Sequence, residues 1–377
     1  MTSPVYLDFN ATAPVRPEAV EAMTQALARV GNPSSVHGAG RAARALLEGA
    51  RTDVAALIGG PASTVVFTSG GTEANGLAIE SAVAAGSRRL IVSAIEHDCV
   101  IEAAKASGAE VEFLPVDAQG VADLAWLSAR LSVWDAADGR PLVALMAANN
   151  ETGVIQPMLE ASEIVRAHEG WLHVDAVQAA GKLAIDSRSI QADTYAVSAH
   201  KLGGPQGVGA LTFGPRASLV RRQHGGGQER GRRAGTENLP GIAGFAAAAR
   251  AALRDANDNK AWRDAAIDDL KAAGGVIVGE NARRLDGTLC VAYPGFPAER
   301  QVMALDLAGV MISAGSACSS GKVKASHVLQ AMGLNDLAAC AIRVSGGWST
   351  TASDWSAFVE AWRAMTTSFT ARRASAA

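Results

Sequence analysis

The chain of 377 residues holds only four cysteines, Cys99, Cys290, Cys318 and Cys340, widely separated and with no Cys-x-x-Cys pair among them. That spacing suggests neither a zinc site nor a disulfide framework, so any cysteine that matters here matters as a thiol. No stretch reaches the roughly 18 uninterrupted apolar residues that a spanning helix requires. The start, Met1-Thr2-Ser3-Pro4, lacks a basic and then apolar leader, so no membrane association is expected and the cytoplasm is the expected location. A formal net charge of -3 supplies no general electrostatic reason to bind nucleic acid or an anionic membrane. Internal repeats are absent, as are a Walker phosphate loop and a dinucleotide fingerprint.

What is present is a chain long enough, and at 49% hydrophobic residues apolar enough, to bury a large core in two domains. Short apolar runs at 64–67, 89–93, 110–114, 142–147, 171–175 and 209–213 read as strands. Helical stretches at 41–58, 75–85 and 159–167 lie between them. Such alternation predicts an α/β domain built on a mostly parallel, helix-covered sheet. A long Ala-rich helix over 240–256 precedes a polar break, Asp255-Ala256-Asn257-Asp258-Asn259, where a second and smaller α+β domain can open. The expected division is 14–258 for the large domain, with 1–13 and 259–377 forming the small one.

Ligands of such sheets sit beyond the carboxyl ends of the strands, which directs attention to a few turns. Ser198-Ala199-His200-Lys201 follows the apolar stretch Thr194-Tyr195-Ala196-Val197 and precedes a glycine-rich turn. A buried lysine there could lose its proton near neutral pH and form a Schiff base, which points to pyridoxal 5'-phosphate; the alternative is an ordinary solvated lysine. The turn Ser69-Gly70-Gly71-Thr72-Glu73-Ala74-Asn75 opens a helix after a strand, so its backbone N–H groups and the Thr72 hydroxyl can cradle a phosphate, or it is a plain strand-to-helix turn. Asp175 ends Trp171-Leu172-His173-Val174-Asp175, where a carboxylate can pair with a pyridine nitrogen or else cap a helix over 176–180. Gln178 lies near enough in sequence to reach the ring's phenolic oxygen. His97, in Glu96-His97-Asp98-Cys99, is placed to stack on a flat cofactor or handle a proton, or is structural. Asn149-Asn150-Glu151-Thr152-Gly153 concentrates hydrogen-bonding groups, as turn chemistry or as a grip on substrate. Arg343, charged within a strand-like run, suits a substrate carboxylate, with a structural ion pair as the alternative. Cys318 sits in the small-residue run Ser313-Ala314-Gly315-Ser316-Ala317-Cys318-Ser319-Ser320-Gly321, built to present a thiol on a mobile loop. Cys290 and Cys340 read as inert, while Cys99, close after His97, is either reactive or packed beneath a cofactor.

In this order the segments resemble the cysteine desulfurases of the NifS/IscS type, pyridoxal-phosphate enzymes of the class V aminotransferase group. The likeness runs from Tyr6 to about Thr351 and includes Asn32-Pro33-Ser34-Ser35 and Gly225 through Asn238. It implies the fold type I architecture, Lys201 as the Schiff-base lysine, and Gly71, Thr72, Ser198 and His200 at the phosphate. Thr236 would reach the phosphate bound by the other subunit of a homodimer. Asp175 would face the pyridine nitrogen, Gln178 and Asn150 the phenolic oxygen, and His97 the ring. Arg343, with Asn150 and Asn10, would hold the substrate, L-cysteine. Cys318 would take its sulfur as a persulfide, release alanine, and pass the sulfur to an iron-sulfur scaffold or another acceptor protein.

Two segments depart from that pattern. Lys322-Val323-Lys324-Ala325-Ser326 stands where the family commonly has Ser-Leu-Glu-Pro-Ser, and Ser345-Gly346-Gly347-Trp348-Ser349 where it has Ser-Leu-Gly-Arg-Phe. The first alters the loop's partner-facing surface and the second removes an arginine. Other enzymes of the class, a selenocysteine lyase or an aminotransferase, share the expected fold and cofactor but need no thiol such as Cys318. A non-catalytic scaffold would have no reason to keep lysine, aspartate, phosphate turn and thiol together.

Overall fold

The computed structural model describes residues 4–256, 258–315 and 325–376. Thirteen strands follow in chain order: β1 (Val5–Tyr6), β2 (Val65–Thr68), β3 (Arg89–Ser93), β4 (Glu110–Leu114), β5 (Leu142–Ala144), β6 (Trp171–Asp175), β7 (Thr194–Ser198), β8 (Gly209–Phe213), β9 (Val276–Ile277), β10 (Thr288–Ala292), β11 (Val310–Met311), β12 (Ser313–Ala314) and β13 (Ala341–Ser345). Seven of them form one sheet in the order β2-β8-β7-β6-β5-β3-β4. Every pairing in it is parallel except those of β8, which runs antiparallel to both neighbours.

Alternation along these strands explains why both faces are covered. In β6, Leu172 and Val174 enter the main core, while Trp171 packs into a second cluster on the opposite face. In β3, Ile91 faces the main core and Leu90 and Val92 the second cluster. Successive side chains of a strand point to opposite faces, so near-continuous apolar strands are what a doubly covered sheet demands. Across the sheet the same alternation places His173 and Asp175 together on one face of β6.

The expected strand over 142–147 ends as a ladder at Ala144, yet Leu145 and Ala147 still donate to the carbonyls of His173 and Asp175. The run therefore stays extended into the site. The helix expected over 240–256 spans Leu239–Ala252; beyond it Asp255 is held by the Arg16 guanidinium. The helix considered over 176–180 does not form. Asp175 Oδ1 accepts from the Val177 N–H at 2.9 Å, and Gly181 follows at φ +74, a left-handed conformation that ends the turn after one cycle.

The remaining strands form a four-stranded antiparallel sheet, β12-β13-β10-β9, and the parallel pair β1-β11. A separate core of Leu7, Leu289, Val291, Ile342, Val344, Trp355, Phe358 and Trp362 lies under them. Asp8 bridges to Ser345, so the N-terminal arm crosses to this second sheet. These features support the division into 14–258 and 1–13 with 259–377, which we propose as the domain boundaries. No helix among the described residues is long and apolar enough to cross a membrane.

Candidate active site

The carboxyl ends of β6 and β7, the turn after β2, the N-terminal arm and β13 converge on one cleft of about 370 Å³. Asn10, Gly71, Thr72, His97, Asn150, Asp175, Gln178, Ser198, His200, Lys201 and Arg343 all line it. A ledge formed by 69–72, Ser198, His200, Gln206 and Gly207 adjoins this cleft.

Lys201 follows β7 in a short 3-10 turn, Ala199–Lys201. Its Nζ donates to the carbonyls of Asn10 at 2.5 Å and Ala11 at 2.9 Å. Burial, reinforced by the nearby Arg343 cation, lowers its pKa to about 8. About a tenth is thus the neutral, nucleophilic amine at pH 7, far more than for a solvated lysine. Because only that form attacks a carbonyl, the rate at which the cofactor-free protein captures an aldehyde cofactor is expected to rise with pH through about 8 and level off above it. Stopped-flow absorbance across pH checks this, and a flat profile would contradict it.

Asp175 is buried and accepts from the Val177 N–H at 2.9 Å and from Asn75 Nδ2 at 2.8 Å. Burial pushes its pKa up, the behaviour of a carboxylate that awaits a cationic partner. Behind it runs a chain of hydrogen bonds absent from the sequence reading. His173 Nε2 lies 2.9 Å from Asn75 Oδ1 and His173 Nδ1 lies 2.9 Å from Thr194 Oγ1. Trp171 Nε1 donates to that same Thr194 hydroxyl at 3.2 Å. With Asn75 Nδ2 turned to Asp175, its Oδ1 must accept, which assigns the His173 proton to Nε2. Burial lowers the His173 pKa to about 3, so this imidazole stays neutral and orients Asp175 through Asn75. The spacing of His173 and Asp175 on β6 was the signal available, since residues two apart share a face.

The glycine turn after β2 begins the helix Gly71–Ala84. A Cβ on Gly71 would approach Val177 Cγ2 to 2.7 Å, so only glycine lets the turn lie against the 176–180 segment. Glu73 braces the turn, accepting from the Ser69 N–H at 2.6 Å and pairing with Arg233 at 3.0 Å. Ser198 Oγ is buried with no partner among the described residues. An orphaned hydroxyl beside free helix-terminal N–H groups is a donor set suited to phosphate. His200 contributes an imidazole that burial and Lys201 keep neutral, with a pKa lowered to about 4.

Arg343 makes the structural ion pair and also lines the cleft. Its Nη2 donates to Asp8 Oδ1 at 2.8 Å, an ion pair, and Nη1 reaches the Asn150 carbonyl at 3.3 Å. Its Nε is buried with no partner among the described residues, and the side chain lines the cleft. His97 caps the helix Asp98–Ala106, its Nδ1 accepting from the Cys99 N–H at 3.1 Å. Cys99 lines the cleft beside Asn75, and burial pushes its pKa up to about 12, so it remains a thiol and is unsuited to nucleophilic attack. Cys290 and Cys340 are buried. Thr236 is exposed and outside the cleft of its own chain. Cys318, Lys322 and Lys324 lie outside the described residues. No cluster of metal-ligating side chains occurs among the described residues.

A half-buried lysine, a buried carboxylate and a glycine turn opening a helix meet at the carboxyl edge of a doubly wound sheet, where such folds place their ligands. The aminotransferase class-V family model matches residues 5–358, and the chain belongs to that family. It is 42% identical over 362 residues to a cysteine desulfurase of Cereibacter sphaeroides, covering 93% of this chain and 92% of the relative. It is 39% identical over 363 residues to the putative cysteine desulfurase IscS 1 of Bacillus subtilis, covering 92% and 94%. Among solved structures, a NifS-like protein superposes with a TM-score of 0.88 at 33% identity, covering 97% of this chain and 99% of that one. A NifS-like protein from Rickettsia africae does so at 0.87 and 31%, covering 96% and 99%.

Proposed function

We propose that this chain is a pyridoxal-phosphate-dependent cysteine desulfurase that converts L-cysteine to L-alanine and carries the sulfur on Cys318 as a persulfide. The observation that carries the reading is the convergence of the Lys201 amine, the Asp175 carboxylate and the Arg343 guanidinium on one cleft. Relatives named cysteine desulfurase at about this level of identity support the choice of reaction within the class.

The residues present fit the cofactor. Ser198 Oγ has no partner among the described residues, the Gly71-Thr72 turn offers backbone donors, and Asp175 is a buried carboxylate whose raised pKa a pyridinium N–H would relieve. Lys201 would hold the aldehyde carbon, with Gln178 and Asn150 near the phenolic oxygen and His97 against the ring. When bound, the cofactor supplies an electron sink that eases bond breaking at the substrate's α- and β-carbons.

The chain's own groups supply the rest. The Arg343 guanidinium takes the cysteine carboxylate, oriented by Asn10 and Asn150, and so fixes which substrate bond is presented for reaction. Lys201, released as a neutral amine, removes the proton from the α-carbon and returns one as alanine forms. The Cys318 thiolate attacks the substrate sulfur: an S–S bond forms, the carbon–sulfur bond breaks, and its electron pair stays with the carbon fragment. That fragment is then protonated and leaves as alanine. We assign the sulfur's destination to an iron-sulfur scaffold or another acceptor protein, and the active state to a homodimer in which Thr236 serves the partner's phosphate site.

Incubating the pyridoxal-phosphate-loaded protein with L-cysteine and a reductant should give alanine and sulfide in equal amounts. Keto acid formed from an amino donor instead would identify an aminotransferase.

A further inference from the structure

Lys182 belongs to no part of the mechanism above, yet it is the second amine at this site. It follows Gly181, and its Nζ donates to Asn10 Oδ1 at 3.0 Å and to Gln178 Oε1 at 3.1 Å. Both amide oxygens therefore face one ammonium, and both NH2 groups must face away from it. Gln178 Nε2 indeed donates to the Asn10 carbonyl at 2.9 Å, and Asn10 Nδ2 to the Asn150 carbonyl at 3.2 Å and Thr288 Oγ1 at 3.1 Å. Reversing either amide would set an NH2 group against the ammonium. The Asn10 carbonyl so placed is the acceptor that Lys201 uses. Lys182 makes no ion pair among the described residues. It lines a second cavity of about 220 Å³, which Lys201 also lines, and is absent from the cleft itself.

We infer that Lys182 is a positioning residue: by holding the Asn10 and Gln178 side-chain oxygens it fixes which faces of those two amides meet the cofactor, the substrate and the resting Lys201. Burial and the neighbouring Lys201 and Arg343 cations lower its pKa to about 7, and the charged and neutral amine both keep the two N–H donors that the two oxygens need. A carboxylate could not do this work, because two acceptor oxygens require a donor with more than one hydrogen. The assignment rests on the proposed function, since Gln178 and Asn10 matter to turnover only if the cleft holds the cofactor and L-cysteine.

The experiment compares wild type, Lys182→Met, Lys182→Arg, Gln178→Ala and the double variant Lys182→Met with Gln178→Ala, each reconstituted with pyridoxal phosphate. Thermal melts of the cofactor-free proteins establish that each is folded. Losing hydrogen bonds to two amides should lower kcat about tenfold in Lys182→Met, with a much smaller change in KM. The bound cofactor's visible absorption maximum should shift, as it would if the Gln178 amide turned over. Lys182→Arg, which keeps donors, should recover most of the activity and the wild-type spectrum. Adding Lys182→Met to Gln178→Ala should cost less than the two single losses combined, because both act through one amide. Additive losses with an unshifted spectrum would overturn the positioning role. Wild-type protein that takes up no cofactor would overturn the proposed function and this inference together.

Discussion

Replacing Lys201 with alanine is expected to lower kcat for alanine release by at least about 1,000-fold, because one residue serves as both the covalent anchor and the proton carrier. The structure gives that amine two preparations. Burial beside the Arg343 cation brings its pKa down to about 8, and hydrogen bonds to the Asn10 and Ala11 carbonyls hold it over the cleft. No other lysine lines the cleft among the described residues. Lys182 is close, but it is tied to two amide oxygens and does not line the cleft. The Lys201→Ala protein should still bind pyridoxal phosphate through the turn at 70–72, Ser198 and Asp175, though reversibly. Gel filtration followed by absorbance checks this: wild type retains colour, and the variant loses it.

The second large effect is expected at Arg343. Arg343→Gln removes the guanidinium edge proposed to bind the substrate carboxylate and leaves Asp8, whose Oδ1 accepts at 2.8 Å, without its cation. Truncating one side of a buried charge pair costs about 2 to 5 kcal/mol, so kcat/KM for L-cysteine should fall between about 30-fold and several thousand-fold. Because the interaction proposed is with the ground-state carboxylate, KM should carry a large share of that loss. Arg343 also lowers the Lys201 pKa. The pH profile of cofactor capture should therefore move to higher pH in the same variant. A loss confined to thermal stability, with KM and the pH profile unchanged, would leave Arg343 only its ion pair with Asp8.

Strand ends made most of the site legible before any coordinates. Asp175 closes an apolar run whose residues alternate between two buried faces, and Lys201 follows another such run, so their proximity is dictated by adjacent parallel strands. The phosphate-type turn was visible for the same reason, as glycine between a strand and a helix. What could not be read were contacts made across the chain. Lys182 bonds Asn10 over 172 positions and His173 bonds Asn75 over 98, and no periodicity encodes such pairs. Local rules also misled at 176–180, where alanine content favours helix. Asp175 accepts from the Val177 N–H as a helix cap would and Ala180 bonds back to the Ala176 carbonyl, but the left-handed Gly181 stops the segment after that one turn. For Arg343 the alternative of a structural ion pair is the one the structure displays, with Asp8, and its place in the cleft leaves the proposed substrate role to the kinetic test above. Thr236 lies away from its own chain's cleft, and a contribution from it needs a second copy of the chain.

The measurement that tests the central claim most directly is alanine and persulfide formation from L-cysteine by the pyridoxal-phosphate-loaded wild type beside Cys318→Ala. The account predicts alanine from the wild type together with a mass increase of one sulfur atom on the peptide containing Cys318. It also predicts that Cys318→Ala keeps the wild-type cofactor spectrum but loses both products. Undiminished alanine release by Cys318→Ala, or sulfur found on a different cysteine, would contradict it.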